Sequence, residues 1–184
     1  MSKKHIFRCL AMVCIALIAT DRLYAQDVDM HYAGDIHAVY GFTTKVNGFD
    51  TYQGRVALGT VHGVGCKYGS TGIGVDAVMY THYYKDDGIR LTVVPYWSIQ
   101  PALPLGSSFS VMLDGALGYY FPVLNWREGG DKGGMFLRYG AGIKLGRLKL
   151  VGGLEKYSGG YIDDSQAKGT VTPYVRMSIA LGKR

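Results

Sequence analysis

The sequence predicts an all-β protein, an eight-stranded antiparallel up-and-down transmembrane β-barrel after an N-terminal signal peptide. Three observations predict it. Apolar residues recur at every second position in eight stretches, the period at which side chains alternate across a strand. The face opposite the apolar stripe carries charge in nearly every stretch, which reverses the usual arrangement of a soluble sheet. The chain also opens with the three-part layout of a secretory leader: Lys3, Lys4 and Arg8, an apolar run from Cys9 to Thr20, and Ala25 ahead of Gln26-Asp27. The expected division is therefore a signal peptide over residues 1–25 and a barrel domain over residues 26–184. The leader's apolar run is shorter than the roughly 20 residues a membrane helix needs, and no later run reaches that length.

The first strand is expected over His31–Phe42, with Ile36, Ala38, Tyr40 and Phe42 on one face and Asp35, His37 and Val39 on the other. The second, over Thr51–Gly63, sets Tyr52, Val56 and Leu58 against Gln53, Arg55 and Ala57. The third, Gly72–Tyr83, sets Ile73, Val75, Ala77 and Met79 against Asp76, Tyr80 and His82. The fourth, Arg90–Gln100, sets Leu91, Val93, Pro95, Trp97 and Ile99 against Thr92, Tyr96 and Ser98; its Pro95 cannot donate to a ladder and implies an edge or a bulge. The fifth, Phe109–Phe121, is the longest apolar alternation, with Asp114 on its other face. The sixth, Met135–Leu145, opposes Arg138 and Lys144 to its apolar stripe, and the seventh, Leu148–Tyr157, opposes Lys149 and Glu155. In the eighth, Thr172–Leu181, Val175, Met177, Ile179 and Leu181 share one face and Tyr174, Arg176, Ser178 and Ala180 the other.

Segments of about ten residues suit strands crossing a bilayer at a tilt, and an even number lets a closed barrel keep both termini at one end. Connections near 43–50, 84–89, 122–134 and 158–171 are mostly long and polar. Those near 64–71, 101–108 and 146–147 are shorter overall, although the third connection is no longer than the second or fourth. Short turns alternating with longer loops are the asymmetry of outer-membrane barrels.

An eight-stranded barrel is too narrow for a wide channel, so its interior is filled by side chains. Charges placed there must be paired, which requires acids and bases in near-equal numbers. Asp35, Asp76, Asp114 and Glu155 stand against Arg55, Arg138, Lys144 and Arg176, and these eight form the expected interior network. Ala57, Gly59, Gly74, Ala116, Gly118, Gly140 and Gly142 on the same face relieve crowding or mark bulges. Tyr40, Phe42, Tyr83, Trp97, Tyr119 and Phe121, read as lying at strand ends on the apolar face, suit an interfacial girdle.

The formal charge of +6 falls to about +3 without the leader, too weak and scattered for a nucleic-acid partner. Of three cysteines, Cys9 and Cys14 lie in the leader and Cys66 remains, so no disulfide framework is expected.

Taken together, the leader, the eight alternating segments, Leu117-Gly118-Tyr119-Tyr120-Phe121 and Arg138-Tyr139-Gly140-Ala141-Gly142-Ile143-Lys144-Leu145-Gly146 give a pattern that resembles the small outer-membrane β-barrel proteins of Gram-negative bacteria. Within them it is similar to the porin-like/OmpA-transmembrane-type group. The resemblance implies location in the cell outer membrane and contact with its lipid and lipopolysaccharide. It also implies dependence on the barrel-assembly machinery, and external loops that could meet an extracellular partner. Such barrels usually finish on an aromatic residue, whereas Leu181-Gly182-Lys183-Arg184 stand here.

A structural or surface-interaction role, with a packed polar interior and no wide pore, is the leading expectation, and neither catalytic residues nor a cofactor is assigned. The first alternative is a membrane-embedded lipid A or phospholipid-modifying enzyme. It would need a nucleophile, a base and an orienting acid. His82, followed by Asp86 and Asp87, lacks the serine two residues away found in deacylase-type barrels. His37 pairs with Asp35 on one face, with Ser178 or Ser110 as a guessed nucleophile. The second alternative is a secreted lipocalin-like barrel binding an apolar ligand. His31, His37, His62 and His82 are too dispersed for metal-ligand spacing. Asp86-Asp87-Gly88 reads as a turn, and Gly129–Gly134 as a flexible loop without the context of a phosphate-binding motif. Trp126-Arg127 in that loop is a candidate contact for lipopolysaccharide or a partner.

Overall fold

In a computed structural model, residues 29–42, 54–80, 90–124, 133–158 and 170–182 are described. The barrel unit is His31–Arg184. It contains eight strands: β1 (His31–Gly41), β2 (Arg55–Cys66), β3 (Gly69–Tyr80), β4 (Arg90–Pro104), β5 (Phe109–Leu124), β6 (Gly134–Leu145), β7 (Leu148–Ser158) and β8 (Thr170–Leu181). Every neighbour in sequence is an antiparallel neighbour in space, and β1 pairs with β8 to close the ring. No helix occurs among the described residues.

Several strand ends move from their expected places, and where β2 meets β3 the physical reason is glycine. Alternation is invisible where glycine supplies no side chain. Gly63, Gly65, Gly69 and Gly72 hide the continuation of β2 and β3, which pair as far as Cys66↔Gly69 and leave only Lys67-Tyr68 as their turn. At the other end of this hairpin, Tyr80 closes β3; the expected extension to Tyr83, and Thr51–Gln53 ahead of β2, fall outside the described residues. For a different reason, prolines that read as strand breakers, β4 runs on through Pro101 to Pro104 and β5 through Pro122 to Leu124. The loop asymmetry is consequently sharper than the sequence implied. Residues 67–68, 105–108 and 146–147 link strands at one end, against 42–54, 81–89, 125–133 and 159–169 at the other.

Pro95 lies at no edge, because a closed ring has none. It pairs with Val75 on the β3 side. On the β5 side the ladder passes over Val94–Pro95 and Gln100–Pro101 and resumes in register at Tyr96↔Gly118 and Ala102↔Met112. Proline has no N–H to donate, so the gap falls where the ladder would need one. The register shift lies elsewhere, between Leu91 and Thr92.

The faces are inverted relative to a soluble barrel. Ile36, Leu58, Ile73, Leu113, Met177 and Ile179 point outward and are more than half exposed, while Asp35, Asp76, Arg138 and Arg176 are buried inside. The lipocalin-like alternative required the apolar stripe to face inward, and it does not. Tyr40 and Phe42 pack edge to face on the outer wall at the long-loop end, as do Tyr119 and Phe121 at a tilt. Trp97 is a correction to the girdle: it stands mid-strand in β4, opposite Ile73 and Leu117, where strand length was underestimated. Tyr83 falls outside the described residues.

Several interior glycines are explained by space. A side chain at Gly59 would collide with Asp76 and His37, one at Gly74 with the Tyr96 ring, and one at Gly140 with the Tyr174 hydroxyl.

Candidate functional site

The lumen is built in two layers, each dictated by inward positions of several strands. Toward the long-loop end, rings close the passage: Phe136 and Tyr157 have centroids 5.1 Å apart, and Tyr120 lies 5.5 Å from Tyr157. The guanidinium of Arg55 covers the Tyr157 ring at 4.7 Å and pairs with Glu155.

Beneath this lies the charged layer. Arg138, from β6, donates across the lumen to Asp76 of β3 at 3.1 Å. The same guanidinium stands 3.2 Å from Asp114 and 3.7 Å from Glu155, with its face 4.8 Å from the centre of the Tyr96 ring. Arg176, from β8, donates to Asp114 at 2.9 Å and to Asp35 at 3.3 Å. Tyr96 and Tyr174 donate their hydroxyls to Asp76 (2.8 Å) and Asp114 (3.0 Å). His37 bridges two acids, with Nδ1 2.8 Å from Asp35 and Nε2 2.8 Å from Asp76.

Seven of the eight residues expected in the interior network therefore lie together, at most 3% exposed: Asp35, Arg55, Asp76, Asp114, Arg138, Glu155 and Arg176. Lys144, the eighth, is half-buried near the short-turn end, and Lys149 joins the cluster, donating to Asp35 and to Gln100 Oε1 at 2.8 Å each. Both lysines point inward and face each other across β6 and β7. Both are one residue inside their strand ends; place in the ring separates them, since β7 lies one strand nearer than β6 to β1, where Lys149 meets Asp35.

Sequence reasoning missed the neutral partners Gln100, Tyr96 and Tyr174, although all three fall on the polar face. It also missed polar pairs on the outer wall. Trp97 Nε1 donates to Thr71 Oγ1 at 2.8 Å, and that hydroxyl donates to the Ser98 carbonyl at 3.0 Å. Thr60 sits likewise between His62 Nε2 (3.0 Å) and the Asp35 carbonyl (2.9 Å), while the Tyr32 hydroxyl meets His62 Nδ1. Outward polar groups are thus tied to one another or to backbone.

The chemistry available inside is neutralisation and bracing. Both nitrogens of His37 are engaged by carboxylates, and Ser178 accepts from Arg176 at 3.2 Å, so this pair is not arranged as base and nucleophile. Ser110 stands apart from it, lining the short-turn mouth. His82, Asp86, Asp87, Trp126-Arg127 and Gly129–Gly134 lie outside the described residues.

The barrel is similar to the outer membrane enzyme PagL. That crystal structure aligns with a TM-score of 0.51 and 16% sequence identity, over 79% of this chain and 98% of the other. At this identity the likeness shows the eight-stranded fold. It does not extend to the porin-like/OmpA-transmembrane-type grouping. No protein-family model and no curated protein matches the chain.

Proposed function

We propose that this protein is an integral barrel of the bacterial outer membrane with a structural or surface-interaction role and no open pore. The observation that carries the proposal is the inverted wall. Large apolar side chains are exposed on every strand, while the charges occupy the lumen. A monomer in water rarely exposes an apolar patch beyond a few hundred Å². Here the patch encircles the molecule, and lipid is the solvent that suits it.

The tied outward hydroxyls and rings support the same reading, because a polar group in hydrocarbon needs an internal partner. Strands of 11 to 16 residues are long enough for a tilted crossing, which takes about 9–11. Its likeness to an outer-membrane barrel agrees with this. Export would rest on the leader at residues 1–25, and the partners would be outer-membrane lipid, lipopolysaccharide and the assembly machinery.

The absence of a pore follows from pairs that cross the lumen, β3 to β6, β5 to β8 and β2 to β7, together with the ring layer above them. Cell fractionation tests the proposal. Recovery in the outer-membrane fraction, with faster gel migration before heating than after, is expected. Recovery in the periplasm without detergent would overturn it.

The solved likeness to an outer membrane enzyme favours a second reading, lipid modification. Lipid A and phospholipid profiles of a deletion strain, compared with His37→Ala and His82→Ala strains, test it. A profile unchanged in all three removes the enzyme.

A further inference from the structure

At the short-turn end the lumen widens into a cavity of about 230 Å³, open at the mouth of the barrel. Its lining carries four cationic side chains, Lys67, Lys144, Arg147 and Lys149, and no carboxylate. Three of the four come from one hairpin, β6–β7. Lys144 and Lys149 stand directly opposite each other in its ladder, an arrangement that like charges disfavour. Lys149 is settled by Asp35 and Gln100 at the cavity floor. Asp35 is thus engaged below the cavity, and the lysine and arginine side chains of the lining are its charged groups.

We propose that this mouth binds a phosphate-bearing small molecule, held by Lys144 and Arg147, with Lys67 of the β2–β3 turn, its ammonium 4.8 Å from the centre of the Tyr68 ring, as a lesser contributor. Cations converging from two hairpins suit a dianion more than a single carboxylate, and an arginine adds a planar donor fork matched to phosphate oxygens. The hydroxyls of Ser70 and Ser110 also line the space and can donate to the remaining oxygens. The volume is below the roughly 300 Å³ at which drug-sized pockets begin, so the ligand is a phosphate group with a small substituent. Low-dielectric walls focus the positive potential along the barrel axis and draw an anion into it. This site needs only the closed barrel and is independent of the membrane proposal.

The test uses the full mature chain folded in non-ionic detergent, titrated by calorimetry with inorganic phosphate and, separately, with short-chain phosphatidic acid. Saturable phosphate binding that weakens about tenfold in Lys144→Gln/Arg147→Gln, and less in Lys67→Gln, is the expected result. Heat-modified gel migration of both variants establishes that they fold, and Lys67→Gln, on a separate hairpin, keeps the test open if the double variant does not. Binding of phosphatidic acid alone, lost in the double variant, supports the site and assigns the phosphate to a lipid headgroup. The proposal is overturned by an absence of saturable binding to either probe. Binding that both variants leave unchanged overturns it too.

Discussion

Arg138 is the most committed side chain in the molecule, fully buried and within reach of Asp76, Asp114 and Glu155. Removing one partner from a buried ionic cluster strands the others, which costs about 3–5 kcal/mol. Arg138→Met should therefore lower the urea midpoint of unfolding in vesicles by that equivalent. Adding Asp76→Asn should restore part of the loss, since it removes one stranded charge. If the double variant is less stable than the single by a further full increment, Arg138 and Asp76 act independently and the pair is not coupled. Gly59 gives a steric counterpart. Gly59→Val would drive a side chain between His37 and Asp76, and a folded yield close to that of the parent would contradict so tight a contact. At this scale the sequence was informative about sign and face. Counting charges opposite the apolar stripe located seven of the eight network members, because the period of two assigns each residue to a side. It could not rank Lys144 against Lys149, because the two stand opposite each other and only the closure of the ring brings β7 nearer than β6 to Asp35 on β1.

The strand is the scale at which lipid and water are told apart. Leu117 is 47% exposed near the middle of β5, on the outer wall. In a bilayer, Leu117→Arg should destabilise the barrel by about 2–4 kcal/mol, measured by reversible unfolding from vesicles. An outward position in water would change by no more than about 0.5 kcal/mol, and that result would count against the membrane assignment. Leu103→Arg, one residue from the short-turn end of β4 and also outward, should cost less than Leu117→Arg as depth decreases. Strand identity was legible throughout, since each strand keeps its alternation over its central residues. The ends were not: at Gly63–Cys66 and Gly69–Gly72 the ladder continues through glycines that carry no face label. Proline concealed Trp97 as a mid-strand residue, because β4 appeared to stop at Gln100 ahead of Pro101.

For the whole molecule, the sealed lumen predicts electrical silence. Purified barrel added to a planar bilayer should give no stable conductance step. Replacing both Arg138 and Asp76 by alanine should not by itself open one, since the Phe136–Tyr157 layer lies above them. Reproducible channels from the parent protein would show that the rings and ion pairs part readily.

The joining of β1 to β8 has a further consequence, one of timing. Asp35 on the first strand is answered by Arg176, 141 residues later in the chain, and by Lys149 just before it. Until the last two strands arrive, the first carries its carboxylate without either cation, beside an unpaired edge. Closure therefore acts as a completeness check: a chain truncated before β7 lacks both cations and the closing strand together.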